Sequence, residues 1–432
     1  MNSVWQETAE RPQFESLNND IKTDVLIIGG GIAGILCAYM LEQNGVDYVL
    51  AEANDICSGV TKNTTAKLTF QHGLIYGKLI NTFGIERAKM YLQANRSALE
   101  HYRKMCGEID CDFTEQDSFV YSRSSRGKLE NEAEALQKLD CHAEIVTKLS
   151  LPFPVAGAVK VSKQAQFNPL KFLYSIASGL RVFENTKVLE LTPKGALTNR
   201  GRIMAENIVI TTHFPILNKH GLYFMKMYQD RSYVLALKNA GQVGGMYIDG
   251  SGNGLSFRDY DDLLLLGGGG HRTGKKGGGW RELEKFAKKY YPDAKIACRW
   301  ATQDCITLDG VPYIGRYSAK TPNLFVATGF NKWGMTSAMA SAIILTDLLL
   351  GRKNDCAEVF SPSRSMLHPQ LAVNAFESVV NLLTPTVPRC PHLGCALKYN
   401  PQEHSWDCPC HGSRFTSKGQ LIDGPATDDK KM

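Results

Sequence analysis

Asp24-Val25-Leu26-Ile27-Ile28-Gly29-Gly30-Gly31-Ile32-Ala33-Gly34 decides the fold. Val25–Ile28 is short, apolar and rich in β-branched residues, as a strand buried on both faces is. It runs straight into Gly29, Gly31 and Gly34, a G-x-G-x-x-G spacing, and a helical pattern follows to about Asn44, where Gly45 stops it. Asp47-Tyr48-Val49-Leu50-Ala51-Glu52 then reads as a second strand ending in an acid. Strand, glycine turn, helix and strand make a βαβ unit. The first glycine permits the tight turn, the second lets the backbone approach a pyrophosphate, and the third lets helix and strand pack closely. The free N–H groups and dipole of the helix start favour that anion. Glu52 stands where a carboxylate holds ribose hydroxyls. A purely structural glycine turn leaves the strand, helix and acid together unexplained. The motif alone does not separate NAD from FAD.

Working outward, the chain has 432 residues, enough for about three structural units, and 43% of them are hydrophobic. It is neither a disordered chain nor a small stapled scaffold. The net charge of +6 is mild, and with no basic stripe of interleaved aromatics it gives no reason to expect nucleic acid. No apolar run approaches the roughly 18–20 residues of a membrane span. The N-terminus lacks a basic-then-apolar leader, so the expected location is cytoplasmic. Residues 1–21 read as a polar surface arm. Helices are expected over 85–105, 130–148, 168–178 and 280–290, with antiparallel strands through 221–270. A second glycine-rich unit, Phe325–Gly329 followed by Asn331–Thr336 and a helix, closes the main body. A helix start there would face the pyrimidine end of a flavin and stabilise its anionic reduced form; the alternative is an ordinary strand–loop–helix crossover.

Residues 22–352 resemble the D-amino-acid-oxidase-like FAD oxidoreductases, which oxidise C–N bonds of amines and amino acids. The resemblance rests on Asp24–Gly34, Glu52, Gly59–Lys67, Asn168-Pro169-Leu170, Thr307–Gly315 and Ala327–Thr336. It implies an α/β (α+β) FAD-binding Rossmann-like domain with an antiparallel-sheet substrate domain. It assigns flavin and pyrophosphate contacts to Gly29, Gly31, Gly34, Thr61, Thr64, Thr65 and Lys67, and an adenine contact to Val188. Gly329, Asn331, Gly334, Met335 and Thr336 would close over the isoalloxazine, with Trp333 as a pocket wall. The FAD-binding parts are expected over about 22–100, 160–220 and 300–352, and the substrate parts over about 101–159 and 221–299. The whole oxidoreductase would span 22–360.

The chain has 12 cysteines, and four of them fall within residues 390–432. Local clustering of this kind reads as metal binding rather than as a disulfide framework. Two ligand pairs stand out, Cys390-x-His392 and Cys408-x-x-His411. Thiolates suit iron–sulfur or zinc, and imidazoles suit zinc or iron, so the set alone leaves a structural zinc site open. The flanks are Gly- and Pro-containing loops, each with one further cysteine, Cys395 and Cys410. They resemble the Rieske [2Fe-2S] fold of quinol–cytochrome complexes, and Gly424-Pro425-Ala426 is similar to its proline loop. The resemblance implies a small all-β domain over 386–432 after a linker at 361–385. It implies Cys390 and Cys408 on one iron, His392 and His411 on the other, and a Cys395–Cys410 disulfide. Two imidazoles in place of thiolates raise the potential to roughly −150 to +300 mV, against about −400 mV for all-Cys plant ferredoxins. Ser413 would hydrogen-bond a sulfide, and Phe415 stands where some members have tyrosine. Few residues separate the linker from Cys390, so the basal β-structure is expected to be shortened and the lobe to lean on the flavoprotein.

As a whole the chain resembles bacterial flavin oxidoreductases with a fused C-terminal Rieske domain. The expected activity is oxidation of an amine or amino-acid-like substrate, with electrons passing from flavin to cluster to an unknown one-electron acceptor. The alternative is an electron-transfer or redox-sensing protein without its own turnover. An amino-acid carboxylate calls for an arginine fork, which makes Arg258 and Arg299 the candidates; the alternative for each is a surface ion pair. His271 is the candidate for proton transfer, with a plain loop histidine as the alternative. His72 reads as a packing residue.

Overall fold

The computed structural model describes residues 2–217, 220–251, 254–385 and 388–430. Its first sheet has eight strands. At its centre Ile21–Ile28 pairs in parallel with Arg202–Ile210 on one side and Tyr48–Ala51 on the other, and Leu324–Thr328 extends it in parallel from Arg202–Ile210. Strict alternation along the central strand builds two cores. Val25 and Ile27 join the helices Ile32–Gln43 and Gly334–Leu349, while Leu26 and Ile28 pack with Val49, Ile208 and Val326 on the opposite face. Both faces are covered, so the strand reads as one apolar run.

The second sheet has nine strands. Lys295–Thr307, Met227–Lys238, Leu263–Arg272 and Ser256–Tyr260 run antiparallel in that order, and Met246–Asp249 joins Thr114–Ser122 in parallel. The amphipathic helix Gly279–Tyr290 covers one face, packing Trp280 and Leu283 with Phe257, Leu264 and Leu266. The third sheet is small, with four antiparallel strands between Lys398 and Asp423. Its core is only Cys390, Cys395, Leu397, Cys408, Cys410, Phe415 and Ala426.

Three sequence expectations differ from what is seen. The N-terminal residues are not a surface arm. They form the helix Val4–Thr8, with Trp5 fully buried and its indole N–H donating to the Thr64 carbonyl at 2.7 Å. The helix expected over 130–148 runs Arg126–Lys138; Asp140 takes φ 58, and β-branched Ile145 and Val146 enter a strand against Val159 and Ala158. Within the segment read as linker lies the helix Pro369–Leu383, and Asn381 accepts the Ala396 N–H at 3.0 Å, beside the first cysteine loop.

So small a core needs external support, and a buried ion network supplies it. The Arg231 guanidinium of the second sheet pairs with Glu403 of the C-terminal lobe, their side chains 3% and 10% exposed. Glu403 also takes Arg414 at 2.8 Å and the Tyr233 hydroxyl at 3.0 Å, and Arg414 reaches Asp407 at 3.0 Å and Asp423 at 3.1 Å. Burial alone would raise the Glu403 carboxyl, but Arg231 and Arg414 hold it below its ordinary range. A depressed carboxylate contributes stability above its ordinary pKa and loses it as pH falls through the depressed value. Arg231→Met leaves a buried carboxylate short of a partner and is expected to cost about 3 kcal/mol, measured as a lowered denaturant midpoint at pH 7. The wild-type advantage should vanish in acid, below the ordinary carboxylate range.

Candidate functional site

A cavity of about 1160 Å³ is lined by both large sheets and by the C-terminal lobe. One end is the glycine turn. Gly29 takes φ +109, and a Cβ on it would lie 2.9 Å from the Thr211 carbonyl oxygen. A Cβ on Gly34 would lie 1.9 Å from the Gly29 carbonyl oxygen, so helix and strand touch backbone to backbone. Gly31 caps the helix Ile32–Gln43, and Thr61 Oγ1 accepts the Ile32 N–H at 3.1 Å. The Glu52 carboxylate accepts the Gly30 N–H at 2.6 Å and the Asn54 N–H at 2.8 Å; burial pushes its carboxyl up and those bonds oppose the rise. Thr64, Thr65, Lys67 and Val188 line the same cavity, and Asn331, Gly334 and Met335 face it from the closing unit. Burial lowers the Lys67 ammonium to about 7. Gly34, Gly329 and Thr336 stand behind the lining. A Cβ on Gly329 would run into Thr307, and Thr336 Oγ1 donates to the Thr69 carbonyl at 3.0 Å. His72, held neutral by burial with its pKa lowered to about 3, stacks on Trp333 at 4.7 Å. The cavity exceeds the roughly 300–1,000 Å³ of ordinary ligand pockets. With a helix start at the glycine turn and a carboxylate at the strand tip, these residues fit a dinucleotide with space beside it.

The far wall is the second sheet. Tyr228, Asp230 and Ser232 face the cavity from Met227–Lys238, and Thr302, Asp304 and Ile306 from Lys295–Thr307. Asp230 and Asp304 are directly opposite across the antiparallel pair. Burial pushes Asp304 up to about 6; Lys332 opposes the shift and Asp230 adds to it. The three candidates for catalysis are not brought here. Arg258 is fully buried and donates to the Thr65 and Ala66 carbonyls at 2.7 and 2.8 Å, buttressing the turn before Lys67. Arg299 pairs with Glu284 at 2.8 Å and lies over Trp280. His271 meets the Tyr233 hydroxyl at 3.0 Å and the Arg272 carbonyl at 2.9 Å. Arg299 lies out of phase with Thr302, Asp304 and Ile306, and His271 is held by Tyr233 and the Arg272 carbonyl, so neither reaches the cavity. Thr302–Asp304–Ile306 and Tyr228–Asp230–Ser232 come into phase on the cavity face only once the two strands are set in register, so the sequence reading missed the two acids.

In the lobe, Cys390 and Cys408 sit in equivalent loops. Gly394 N–H returns to the Cys390 carbonyl and Gly412 N–H to the Cys408 carbonyl, each at 2.9 Å. Gly394 and Gly412 take φ 75 and 91, which a side chain rarely adopts. Both thiols are buried, and the His392 and His411 rings meet edge to face, 5.0 Å apart at 88°. His411 is 2% exposed and both its ring nitrogens are buried without a hydrogen-bond partner. Such orphaned nitrogens beside thiols fit a metal centre. His392 is half-buried at the outer side. Cys395, Cys408 and Cys410 sulfurs lie within 4.8 Å of one another, and the Cys395 and Cys410 thiols, brought together, are free rather than joined in a disulfide. Ser413 Oγ accepts the Ala426 N–H at 3.0 Å, tying the proline loop to the second cysteine loop.

The second sheet lies between this centre and the cavity. Between Tyr228 and Asp230, Gln229 points the other way and donates to the His411 carbonyl at 2.8 Å and the Gly424 carbonyl at 3.0 Å. Gln303, between Thr302 and Asp304, donates to Gln229 Oε1 at 2.6 Å and the Gly412 carbonyl at 2.9 Å. The Arg272 guanidinium lies 4.7 Å over the Tyr228 ring and donates to the Pro409 and Cys410 carbonyls at 3.1 and 3.2 Å. Gly424, Pro425 and Ala426 themselves line the cavity.

Residues 24–348 match the FAD dependent oxidoreductase family, and residues 379–431 match the Rieske [2Fe-2S] domain. The chain is 34% identical to the Rieske 2Fe-2S iron-sulfur protein YhfW of Bacillus subtilis (strain 168), covering 100% of this chain and 97% of that protein. It is 24% identical to gamma-glutamylputrescine oxidoreductase of Escherichia coli (strain K12), over 78% of this chain and 86% of that one. The fold of L-proline dehydrogenase from P. horikoshii superposes with a TM-score of 0.69 at 18% identity, covering 80% of this chain and 98% of that one.

Gly34→Ala sets a methyl against backbone that has no room to give, an overpacking cost of about 1–3 kcal/mol or more. The variant is expected to purify with most of its dinucleotide absorbance lost and its iron and sulfide content retained.

Proposed function

The chain belongs to the FAD dependent oxidoreductase family and carries a Rieske [2Fe-2S] domain, and from that membership we propose that it oxidises an amine or amino-acid-like substrate and delivers the electrons through the cluster to a one-electron acceptor. The first domain binds FAD and the second a [2Fe-2S] cluster. The observation that carries the reading is the shared sheet: neighbouring residues of one strand face the cavity and hold the cluster loop. FAD supplies hydride acceptance from a C–H bond beside nitrogen, and the cluster passes electrons one at a time.

The chain's own residues do the positioning. The start of the Ile32–Gln43 helix and Glu52 hold the nucleotide; Lys67, Trp333 and the Asn331–Met335 turn enclose the reacting end. Gln229 and Gln303 fix the backbone on both sides of Gly412, and so the ring of His411. His392, half-buried, gives the cluster an outward side. A fused one-electron centre has no purpose in an enzyme that hands electron pairs straight to oxygen. The names of the E. coli oxidoreductase and of the P. horikoshii dehydrogenase support an amine or amino-acid substrate. No helix among the described residues is long and apolar enough to cross a membrane.

The test is anaerobic mixing of the purified protein with a panel of amines and amino acids. A productive substrate should bleach the flavin and then develop the reduced-cluster EPR signal; bleaching by none of the panel would favour a carrier without turnover. His411→Cys replaces a neutral ligand by a thiolate and is expected to lower the cluster potential by on the order of 100–300 mV. Flavin reoxidation should slow in parallel, measured by stopped-flow absorbance with an artificial acceptor.

A further inference from the structure

The substrate side of the cavity has a definite charge. No arginine among the described residues lines it, so the planar fork that suits an amino-acid carboxylate is missing. What the sheet offers instead is Asp230 and Asp304, paired across two strands and facing the same space. The neighbouring strand contributes Gly267, Gly268 and Gly270, which add no side chains and leave the room in front of the carboxylates open. Two arginines lie near the pair but are engaged on the lobe side, Arg231 with Glu403 and Arg272 with the Pro409 and Cys410 carbonyls, whereas Lys332 shares the cavity with the acids, its ammonium 3.5 Å from Asp230. The Asp304 carboxylate takes no hydrogen bond from any described residue while it opens onto the cavity, although burial and the Asp230 charge both work against its ionised form. On the cavity side of the sheet, then, two carboxylates stand against one ammonium, Lys332.

We infer that Asp230 and Asp304 are the specificity-determining residues of the substrate site, and that they select a cationic alkylamine with no carboxylate on the reacting carbon. The inference rests on the proposed amine or amino-acid oxidation and narrows it. An ammonium group completes the constellation: it donates to Asp304, which takes no hydrogen bond from any described residue, and shares Asp230 with Lys332. An α-carboxylate in the same place would meet two like charges and no fork. Lys332 comes from the closing loop beside Trp333, so the bound ammonium would also hold that loop against the sheet.

The experiment uses the FAD-loaded, cluster-loaded full chain and two tert-butyl probes of opposite charge that cannot be oxidised. tert-Butylamine has no hydrogen on the carbon bearing nitrogen, and pivalate is its carboxylate counterpart. Binding is read as perturbation of the flavin absorption spectrum. The expected result is that tert-butylammonium binds about tenfold or more tightly than pivalate. Asp304→Asn and Asp230→Asn should each weaken the amine about 10- to 100-fold, the loss of one charge-assisted hydrogen bond, with no loss of pivalate affinity. Equal or tighter binding of pivalate would overturn the inference, and so would amine affinity unchanged in both variants. Should either variant fail to fold, the probe comparison on the wild type still decides. Because neither probe turns over, a chain that prefers the amine yet oxidises none of the panel keeps this assignment and loses the proposed activity. A chain that oxidises amino acids but prefers pivalate does the reverse.

Discussion

The hydrogen bond from Gln229 to the carbonyl of His411 exists because a β-strand has two faces. Tyr228 and Asp230 look into the flavin cavity, and Gln229 and Arg231 look into the lobe that carries the cysteines and histidines. Further connections between the two redox sites follow this geometry. Gln303 repeats it on the adjacent strand, and Arg272, lying over Tyr228, reaches two carbonyls of the second cysteine loop. The sheet is both the wall of one site and the mount of the other. Its backbone hydrogen-bond ladder makes it rigid, so the two centres are fixed relative to one another.

The same arrangement accounts for how small the C-terminal lobe is. A four-stranded sheet over seven buried core residues cannot bury enough apolar surface to stand alone. Its support comes from the second sheet, through Arg231–Glu403 and the two glutamines, and from the Pro369–Leu383 helix alongside the first cysteine loop. Ion pairs this deeply buried are weak sources of net stability but costly to break. They set the docking orientation more than they add to the folding energy. That orientation leaves buried His411 toward the flavoprotein and half-buried His392 toward the outside.

The dinucleotide fold was legible from eleven residues because each one carries a local requirement. Gly34 meets the Gly29 carbonyl, and no other residue fits there. The paired histidines were legible for a similar reason, since ligand spacing within a tight loop is a local property. The substrate wall was not. Arg258 and Arg299 have the chemistry a carboxylate site wants, but strand phase and tertiary partners decide where a side chain goes, and one is spent on the Thr65 and Ala66 carbonyls and the other on Glu284. Asp230 and Asp304 become a pair only when strands 75 or so residues apart are set in register, which no local pattern encodes. The N-terminal arm failed for a related reason: Trp5 finds its pocket against Tyr260 and Arg258, far along the chain.

The central claim is that flavin and cluster exchange electrons within one molecule, across one shared sheet. Photoreduction of the flavin under anaerobic conditions, followed by the rise of the reduced-cluster EPR signal over a range of protein concentrations, tests it most directly. An intramolecular route predicts a first-order rise whose rate does not change with protein concentration. A rate proportional to concentration, or a reduced flavin beside a cluster that stays oxidised, would contradict the account.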